Sequence, residues 1–195
     1  DSQSTSTATA TSPVSPTPTQ PPVLDWREFS GTVPRDDFFS VHGIDSEHVW
    51  FAGDRSQVLF WDGAQMNQQL DVIPPDKVLR TVHMDTLSRG YLLGDDGIFM
   101  ETRNGGQLWR RTSGLDLYTD DWAAIDLLNV GRGNRGWALG RENGNRVYYD
   151  GSVWSPPSPA DRNNRTHKYA DVAMIGEAKA FAIQNNPTGA RIYEW

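Results

Sequence analysis

The sequence predicts an all-β, propeller-type fold of about four blades, each a four-stranded antiparallel meander. Three observations support this prediction: one short motif recurs four times, strand-like runs surround each copy, and Gly-containing turns separate those runs. No stretch of the chain combines the apolar periodicity and the end caps that are typical of a helix. The prediction covers residues 23–195, which follow a segment of very different composition.

That first segment, residues 1–22, is rich in Ser, Thr and Pro, and Val14 is its one sizeable apolar side chain. Such a segment buries too little apolar surface to offset the entropy of ordering its backbone, so it is predicted to be a disordered stalk. All 8 Trp, 6 Tyr and 7 Phe residues come after it. The folded domain is therefore predicted to span residues 23–195.

Charge and composition exclude several classes of function. The net charge is −7, and no run of basic residues is longer than Arg110-Arg111, which argues against a nucleic-acid partner. No apolar run approaches the roughly 20 residues that a membrane-spanning helix needs. The chain has no Cys, which excludes a disulfide framework, a thiolate metal site and a Cys nucleophile.

The recurring motif is a small or apolar residue, an aromatic residue, two apolar residues, Gly and a polar residue. Its aromatic positions are separated by 41, 46 and 44 residues, which is the repeat length of propeller blades. A fourth, weaker copy lacks the Gly. The motif residues of the four copies are Trp50 with Gly53, Tyr91 with Gly94, Trp137 with Gly140, and Phe181.

Strand-like runs flank every copy of the motif. The runs before it are residues 38–44, 78–84, 122–128 and 169–175, and the runs after it are residues 58–61, 98–100, 147–149 and 191–193. Asp-Gly or Asn-Gly turns follow the later runs in the first three copies, and such pairs supply the positive φ values of tight hairpins. A fourth strand is predicted after each turn and is marked by Met66, Trp109 and Trp154.

The fourth copy reaches Trp195 directly after its third strand. Residues 23–29 form an isolated strand-like run that contains Trp26. Pairing that run with the last strand would close the ring in a 3+1 arrangement and cover an exposed edge. The alternative is that the blades belong to a larger ring or complex.

The segment from Thr102 to Trp109 resembles the Asp-box, the repeat of bacterial neuraminidases, with Asn104 in place of the usual Asp. The other copies are similar to repeats of propellers related to the photosystem II stability and assembly factors. The resemblance implies that Thr102, Asn104, Gly106 and Trp109 brace a turn and pack between blades. Residues 1–22 resemble the Thr/Pro-rich leash that follows the lipidated cysteine of bacterial lipoproteins, although that cysteine is not in this sequence.

Catalytic signatures are weak. The run at Arg191-Ile192-Tyr193 departs from the Arg-Ile-Pro motif that sialidases share. A glycosidase needs two carboxylates that face one another, whereas the acidic pairs at 36–37, 95–96 and 120–121 are adjacent in sequence and lie near turns. The chain is therefore predicted not to be an enzyme.

His42 and His83 occupy the same position in the first two copies, and Asp126 occupies it in the third. Innermost strands of a propeller face its channel, so these side chains are weak candidates for a metal site. Hydrogen bonding between blades is the favoured interpretation, and no metal or cofactor is predicted.

The predicted function is that of a non-catalytic scaffold or assembly module, secreted or extracytoplasmic, that docks to a membrane-associated protein complex. Its stalk would carry a lipid anchor or glycans and its domain no transmembrane segment. The alternative is a cell-surface carbohydrate-binding protein or glycoside hydrolase. Candidate partner-facing residues, chosen because they lie in loop-like stretches, are Tyr118, Arg132, Arg135 and Arg162.

Overall fold

A computed structural model of the chain describes residues 26, 28–29, 31–69, 75–113, 115, 120–131, 133–156, 167–185 and 189–195. The chain divides into two compact units, residues 1–30 and Gly31–Trp195. All regular structure described below belongs to the second unit.

Four antiparallel sheets follow one another along the chain, and we number them blades I to IV. Blade I contains β1 (Phe38–Gly43), β2 (Val49–Gly53), β3 (Val58–Trp61) and β4 (Met66–Gln68), with a short 3-10 turn at Asp54–Ser56. Blade II contains β5 (Leu79–Met84), β6 (Gly90–Gly94), β7 (Phe99–Thr102) and β8 (Trp109–Arg111). Blade III contains β9 (Trp122–Asn129), β10 (Asn134–Gly140), β11 (Arg146–Tyr149) and β12 (Trp154–Ser155). Blade IV contains β13 (Tyr169–Gly176), β14 (Lys179–Gln184) and β15 (Arg191–Glu194).

Each sheet is a meander in which every strand pairs with its neighbour in sequence. Blades I to III have four strands, and blade IV has three among the described residues. The first strands of the blades contact one another in succession, β1 with β5, β5 with β9 and β9 with β13. The four blades therefore follow one another in an arc, and these first strands form its inner layer. The predicted all-β, propeller-type fold is confirmed.

The strand register gives every blade two distinct faces. The motif aromatic of the second strand pairs with an equivalent residue of the first strand in each blade. Trp50 pairs with His42, and Tyr91 pairs with His83. The side chains of His42 and Trp50 point to blade II, because the His42 ring lies 4.5 Å from the His83 ring and the Trp50 indole N–H donates to the carbonyl of Gly105 at 3.1 Å. We call this side of each blade its forward face, and the opposite side its rear face.

An apolar cluster fills each interface between consecutive blades. Between blades I and II, forward residues of blade I such as Trp50 and Val58 meet rear residues of blade II such as Val82 and Leu92. Trp109 and Trp154, the predicted markers of the fourth strands, are both buried in such clusters. The core therefore lies between the sheets, and β6 of blade II is buried along its whole length because both of its faces pack on neighbouring blades.

The Gly at the end of the motif permits a close approach between the first and second strands. A Cβ at Gly53 would lie 2.2 Å from the carbonyl oxygen of Asp37, and one at Gly94 would lie 2.2 Å from that of Val78. At Gly140 the obstacle is a side chain, because the added Cβ would lie 1.9 Å from a carboxylate oxygen of Asp120.

The Asp-box-like segment braces the turn between β7 and β8. The Asn104 side-chain oxygen accepts hydrogen bonds from the Thr102 hydroxyl at 3.1 Å and from the Leu108 N–H at 2.9 Å. The Thr102 hydroxyl also accepts a bond from the N–H of Gly106, whose φ is +88°. An amide oxygen accepts both bonds as a carboxylate would, so Asn can replace Asp here.

The predicted ring closure by residues 23–29 stays a prediction. Residues 26, 28 and 29 are described and are not in a strand, and the other residues of that run lie outside the described part. The predicted stalk, residues 1–22, also lies outside it. No helix in the described ranges is long and apolar enough to cross a membrane.

Candidate functional site

A polar cleft opens where blades II, III and IV meet at one end of their strands. Its volume is about 320 Å³. It lies on the side of the arc that carries the turns between second and third strands, since Arg141 and Asn185 directly follow β10 and β14. The lining residues are Arg80, Ala123, Arg141, Glu142, Lys168, Tyr169, Ala170 and Asn185.

Cations dominate this lining. The Arg80 guanidinium is held by a bidentate pair with Asp95, at 2.6 Å from Nε to Oδ1 and 2.7 Å from Nη2 to Oδ2. Lys168 Nζ donates to Glu142 Oε2 at 2.8 Å, and this hydrogen bond lowers the pKa of Glu142. Arg141 Nε lies 3.8 Å from Glu142 Oε1, beyond a strong hydrogen bond. The cleft thus contains three cations, of which Arg80 is paired with Asp95 and Lys168 with Glu142, in a chain whose net charge is −7.

The repeat explains part of this arrangement. The residue after the motif Gly is Asp54 in blade I, Asp95 in blade II and Arg141 in blade III, and the matching residue of blade IV is Asn185. These positions share one end of the blades, so Asp95, Arg141 and Asn185 come together around the cleft. Lys168 comes from the segment that leads into β13, which the repeat motif does not cover.

The acidic pairs singled out in the sequence have structural partners. Asp36 pairs with Arg55 at 2.8 Å, and Asp96 pairs with Lys77 at 2.6 Å. Asp120 is fully buried, and its carboxylate accepts hydrogen bonds from three backbone N–H groups of the β10–β11 turn. These contacts use the carboxylates to hold loops in place.

The structure brings His42, His83 and Asp126 together on the inner strands. The two imidazole rings are 4.5 Å apart between centroids, and His83 Nδ1 lies 3.9 Å from Asp126 Oδ1. The other oxygen of Asp126 accepts the N–H of Met174 at 2.7 Å, which links blade III to blade IV. Within the described ranges, no three His, Cys, Asp or Glu side chains are arranged to hold a metal ion.

Burial shifts the titration of this cluster. Burial, followed by the charge of His42, lowers the pKa of His83 to about 3. Burial also lowers the pKa of His42, although the Asp126 carboxylate opposes that shift. The same cause raises the pKa of Asp126 and of Asp85, whose Oδ1 lies 3.7 Å from His83 Nε2. Burial therefore favours the neutral form of both histidines.

A second polar cluster, centred on Arg89, was not predicted from the sequence. Arg89 donates to the hydroxyls of Tyr91 at 2.7 Å and Tyr149 at 2.6 Å, and to Glu101 at 2.9 Å. Burial disfavours the charge of Arg89, but the bond to Tyr149 and the neighbouring groups raise its pKa overall. The cluster ties blade II to blade III. The repeat alignment does not indicate this cluster, because the equivalent residue of the fourth copy, Phe181, has no polar group.

The predicted partner-facing residues have separate outcomes. Arg135 is in β10, where its half-buried guanidinium lies 3.5 Å from a carboxylate oxygen of Glu177. Tyr118, Arg132 and Arg162 lie outside the described residues, so their role stays a prediction.

A smaller apolar cleft of about 130 Å³ lies between blades III and IV. Trp137 and Trp195 line it, with ring centroids 5.0 Å apart. Trp195 is 47% exposed, in contrast to the buried Trp109 and Trp154.

Comparison with solved structures places this architecture among known folds. The chain superposes on YCF48 bound to D1 peptide with a TM-score of 0.60 and 16% identity, covering 81% of this chain and 52% of that one. YCF48 from Cyanidioschyzon merolae gives a TM-score of 0.58 and 14% identity, covering 83% of this chain and 54% of that one. The chain has a β-propeller fold. It spans about half the length of the YCF48 chains that it matches.

A designed protein shares the same architecture. The computationally designed Ika4 protein superposes with a TM-score of 0.62 and 9% identity, covering 85% of this chain and 94% of that one. No protein-family model and no curated protein sequence matches the chain. At these identities the similarity shows the fold alone, so the function must be argued from the site.

Proposed function

We propose that the protein is a non-catalytic interaction module that docks to a protein complex and binds an acidic, extended segment of its partner in the polar cleft. The observation that carries this proposal is that Arg141 and Lys168 are both accessible in one cleft of an acidic chain, beside an Arg80 that Asp95 holds in place. Guanidinium and ammonium groups recognise carboxylates through charge-assisted hydrogen bonds. Loops on a rigid scaffold are common places for such recognition.

The dimensions of the cleft support a side chain or a chain end as the bound group. A volume of about 320 Å³ is at the lower end for small-molecule pockets. The side chains of Arg141 and Lys168 are 37% and 52% exposed, so an approaching carboxylate can reach both. Lys168 would exchange its bond to Glu142 for one to the ligand. YCF48 bound to D1 peptide shows that a protein of similar fold binds a peptide.

Location belongs to the same proposal. The Ser/Thr/Pro-rich composition of residues 1–22 supports an extracytoplasmic stalk that holds the module near a membrane. Mass spectrometry of the native N-terminus tests this part, because glycans on residues 1–22 or a lipidated residue joined to the Asp1 amine are expected. An unmodified segment would contradict the anchor.

The cleft is tested with an array of 15-residue peptides binned by Asp and Glu content, measured by fluorescence polarisation. Affinity should rise with acidic content and fall between 50 mM and 300 mM salt, because salt screens charged groups at the surface. Replacing both Arg141 and Lys168 by Glu should weaken binding by about 10- to 100-fold. Arg110→Glu is the matched control, because that exposed residue is on the outermost strand of blade II.

Two results would contradict the proposal. One is a peptide affinity that does not depend on acidic content, or that is unchanged when both Arg141 and Lys168 are replaced by Glu. The other is saturable glycan binding or glycoside turnover, which would favour the carbohydrate function. The specific feature that makes carbohydrate worth testing is the apolar cleft with Trp137 and Trp195, since aromatic rings can stack on sugars. Trp195→Ala would then abolish glycan binding and leave acidic-peptide binding unchanged.

A further inference from the structure

The two ends of the arc expose faces that are buried everywhere else. Each rear face carries an aligned apolar residue on its inner strand. Among these residues, Val82 is 3% exposed, Ile125 7% and Val172 8%, whereas Val41 of blade I is 61% exposed. The register places all four in equivalent pairs, so the difference comes from the neighbouring blade and not from the position.

The forward faces show the reverse pattern. Two forward-facing positions pair with one another across the second and third strands, and the first of them comes two residues after the motif aromatic. They are Ala52 and Val58 in blade I, at 0% and 1% exposure, and Ile183 and Ile192 in blade IV, at 42% and 76%. Ile175 adds a third apolar side chain to that surface, at 55% exposure. The forward face of blade IV is therefore apolar, and its three Ile side chains are all exposed among the described residues.

The exposed rear face of blade I and the exposed forward face of blade IV correspond to the two halves of one blade interface. In the interface between blades I and II, Ala52 and Val58 pack against Val82 and its neighbours. Ile183 and Ile192 occupy the first two positions, and Val41 the third. The exposure of all three shows that blade IV does not cover blade I within one described chain.

We propose that a second copy of this chain covers both faces, with the forward face of blade IV in each copy packed on the rear face of blade I in the other. A second copy is the occupant that the surfaces favour, because each copy carries the face that the other needs. Two such contacts, related by a two-fold axis, close a ring of eight blades and leave no open end. Eight blades is within the usual range for propellers.

The test is the mass of the full chain by native mass spectrometry and by light scattering after size exclusion. A dimer of twice the 21.8 kDa chain mass is expected at micromolar concentration. Ile183→Arg and Val41→Arg should each raise the dimer dissociation constant by at least 10-fold. Val153→Arg should not, because that exposed residue is in the β11–β12 turn. Circular dichroism confirms that each variant folds.

Mixing the two variants distinguishes this dimer from other kinds. In a mixed dimer of Ile183→Arg with Val41→Arg chains, one contact carries both substitutions and the other is entirely native. The mixture should therefore dimerise more tightly than either variant alone. A self-complementary interface would show no such rescue. A monomeric wild-type chain, a larger open oligomer, or a dimer that tolerates both substitutions would overturn the proposal.

The two proposals can fail separately. The cation-lined cleft lies between blades II, III and IV, and the dimer faces lie at the outer sides of blades I and IV. The Arg141 and Lys168 double variant should dimerise normally, and Val41→Arg should keep its peptide-binding cleft.

Discussion

Substitution of Asp120 by Asn should destabilise the domain strongly, although the shape of the side chain hardly changes. Asp120 is fully buried just before β9. Its Oδ1 accepts the N–H groups of Glu142 and Asn143 at 3.0 and 2.9 Å, and its Oδ2 accepts the N–H of Asn145 at 3.0 Å. One carboxylate therefore organises the whole β10–β11 turn.

The magnitude follows from these bonds. Hydrogen bonds to a charged group contribute about 1.5–3 kcal/mol each. The amide of Asn keeps one acceptor oxygen and places an NH2 group where another acceptor is needed, so one bond is lost and the remaining two become neutral. We expect a loss of about 3 kcal/mol. For a domain of this size that loss corresponds to a fall in Tm of about 6–12 °C.

The assay is thermal unfolding followed by circular dichroism, with Asp62→Asn as the matched variant. The Asp62 carboxylate also accepts three hydrogen bonds, from the N–H groups of Ala64 and Gln65 and from the amide of Asn67. It lies in an exposed turn, where water can replace lost partners, so its Tm should fall much less. Equal shifts in the two variants would refute the argument that burial sets the cost.

Two further outcomes are expected. Acid should destabilise the protein through His83, because the pKa of this residue is about 3 in the folded state and 6.5 in the unfolded state. The unfolded state therefore binds the proton first, and stability falls as the pH drops from about 6.5 towards 3. The raised pKa values of Asp85 and Asp126 act with the opposite sign. His83→Gln should therefore flatten the fall when the urea midpoint of unfolding is plotted against pH. An unchanged slope would contradict the assignment to His83. Gly94→Ala should cost several kcal/mol, because the new Cβ would lie 2.2 Å from the carbonyl oxygen of Val78, and a Tm within about 2 °C of wild type would show that the strands can separate.

Much of the fold could be predicted because each blade is a local unit. The spacing of nine residues between Val41 and Trp50, repeated at Val82 and Tyr91, reflects one hairpin with one register. In blades I and II the Gly at the end of the motif marks a close backbone approach, because an added Cβ would lie 2.2 Å from a carbonyl oxygen. Such patterns are set by residues near one another in sequence, so the sequence records them directly.

The polar cleft could not be predicted in the same way. Arg80, Arg141 and Lys168 are far apart in the sequence, and they meet only because consecutive blades pack at a fixed angle around the arc. The repeat indicates that Arg141 and Asn185 share one end of the blades. It does not indicate that Arg80 is held there by Asp95, or that Lys168 reaches the same space from the segment before β13.

Under the proposed function, the same repeat position stabilises the fold in one blade and binds the partner in another. After the motif Gly, blade II places Asp95, which neutralises Arg80, whereas blade III places Arg141, whose charge has no carboxylate within hydrogen-bond distance among its described contacts. A repeat scaffold can acquire a binding site by altering single turn residues, because the packing between blades is carried by Trp50, Tyr91 and Trp137. The specificity of this protein should accordingly reside in the residues that differ between blades at that end of the arc.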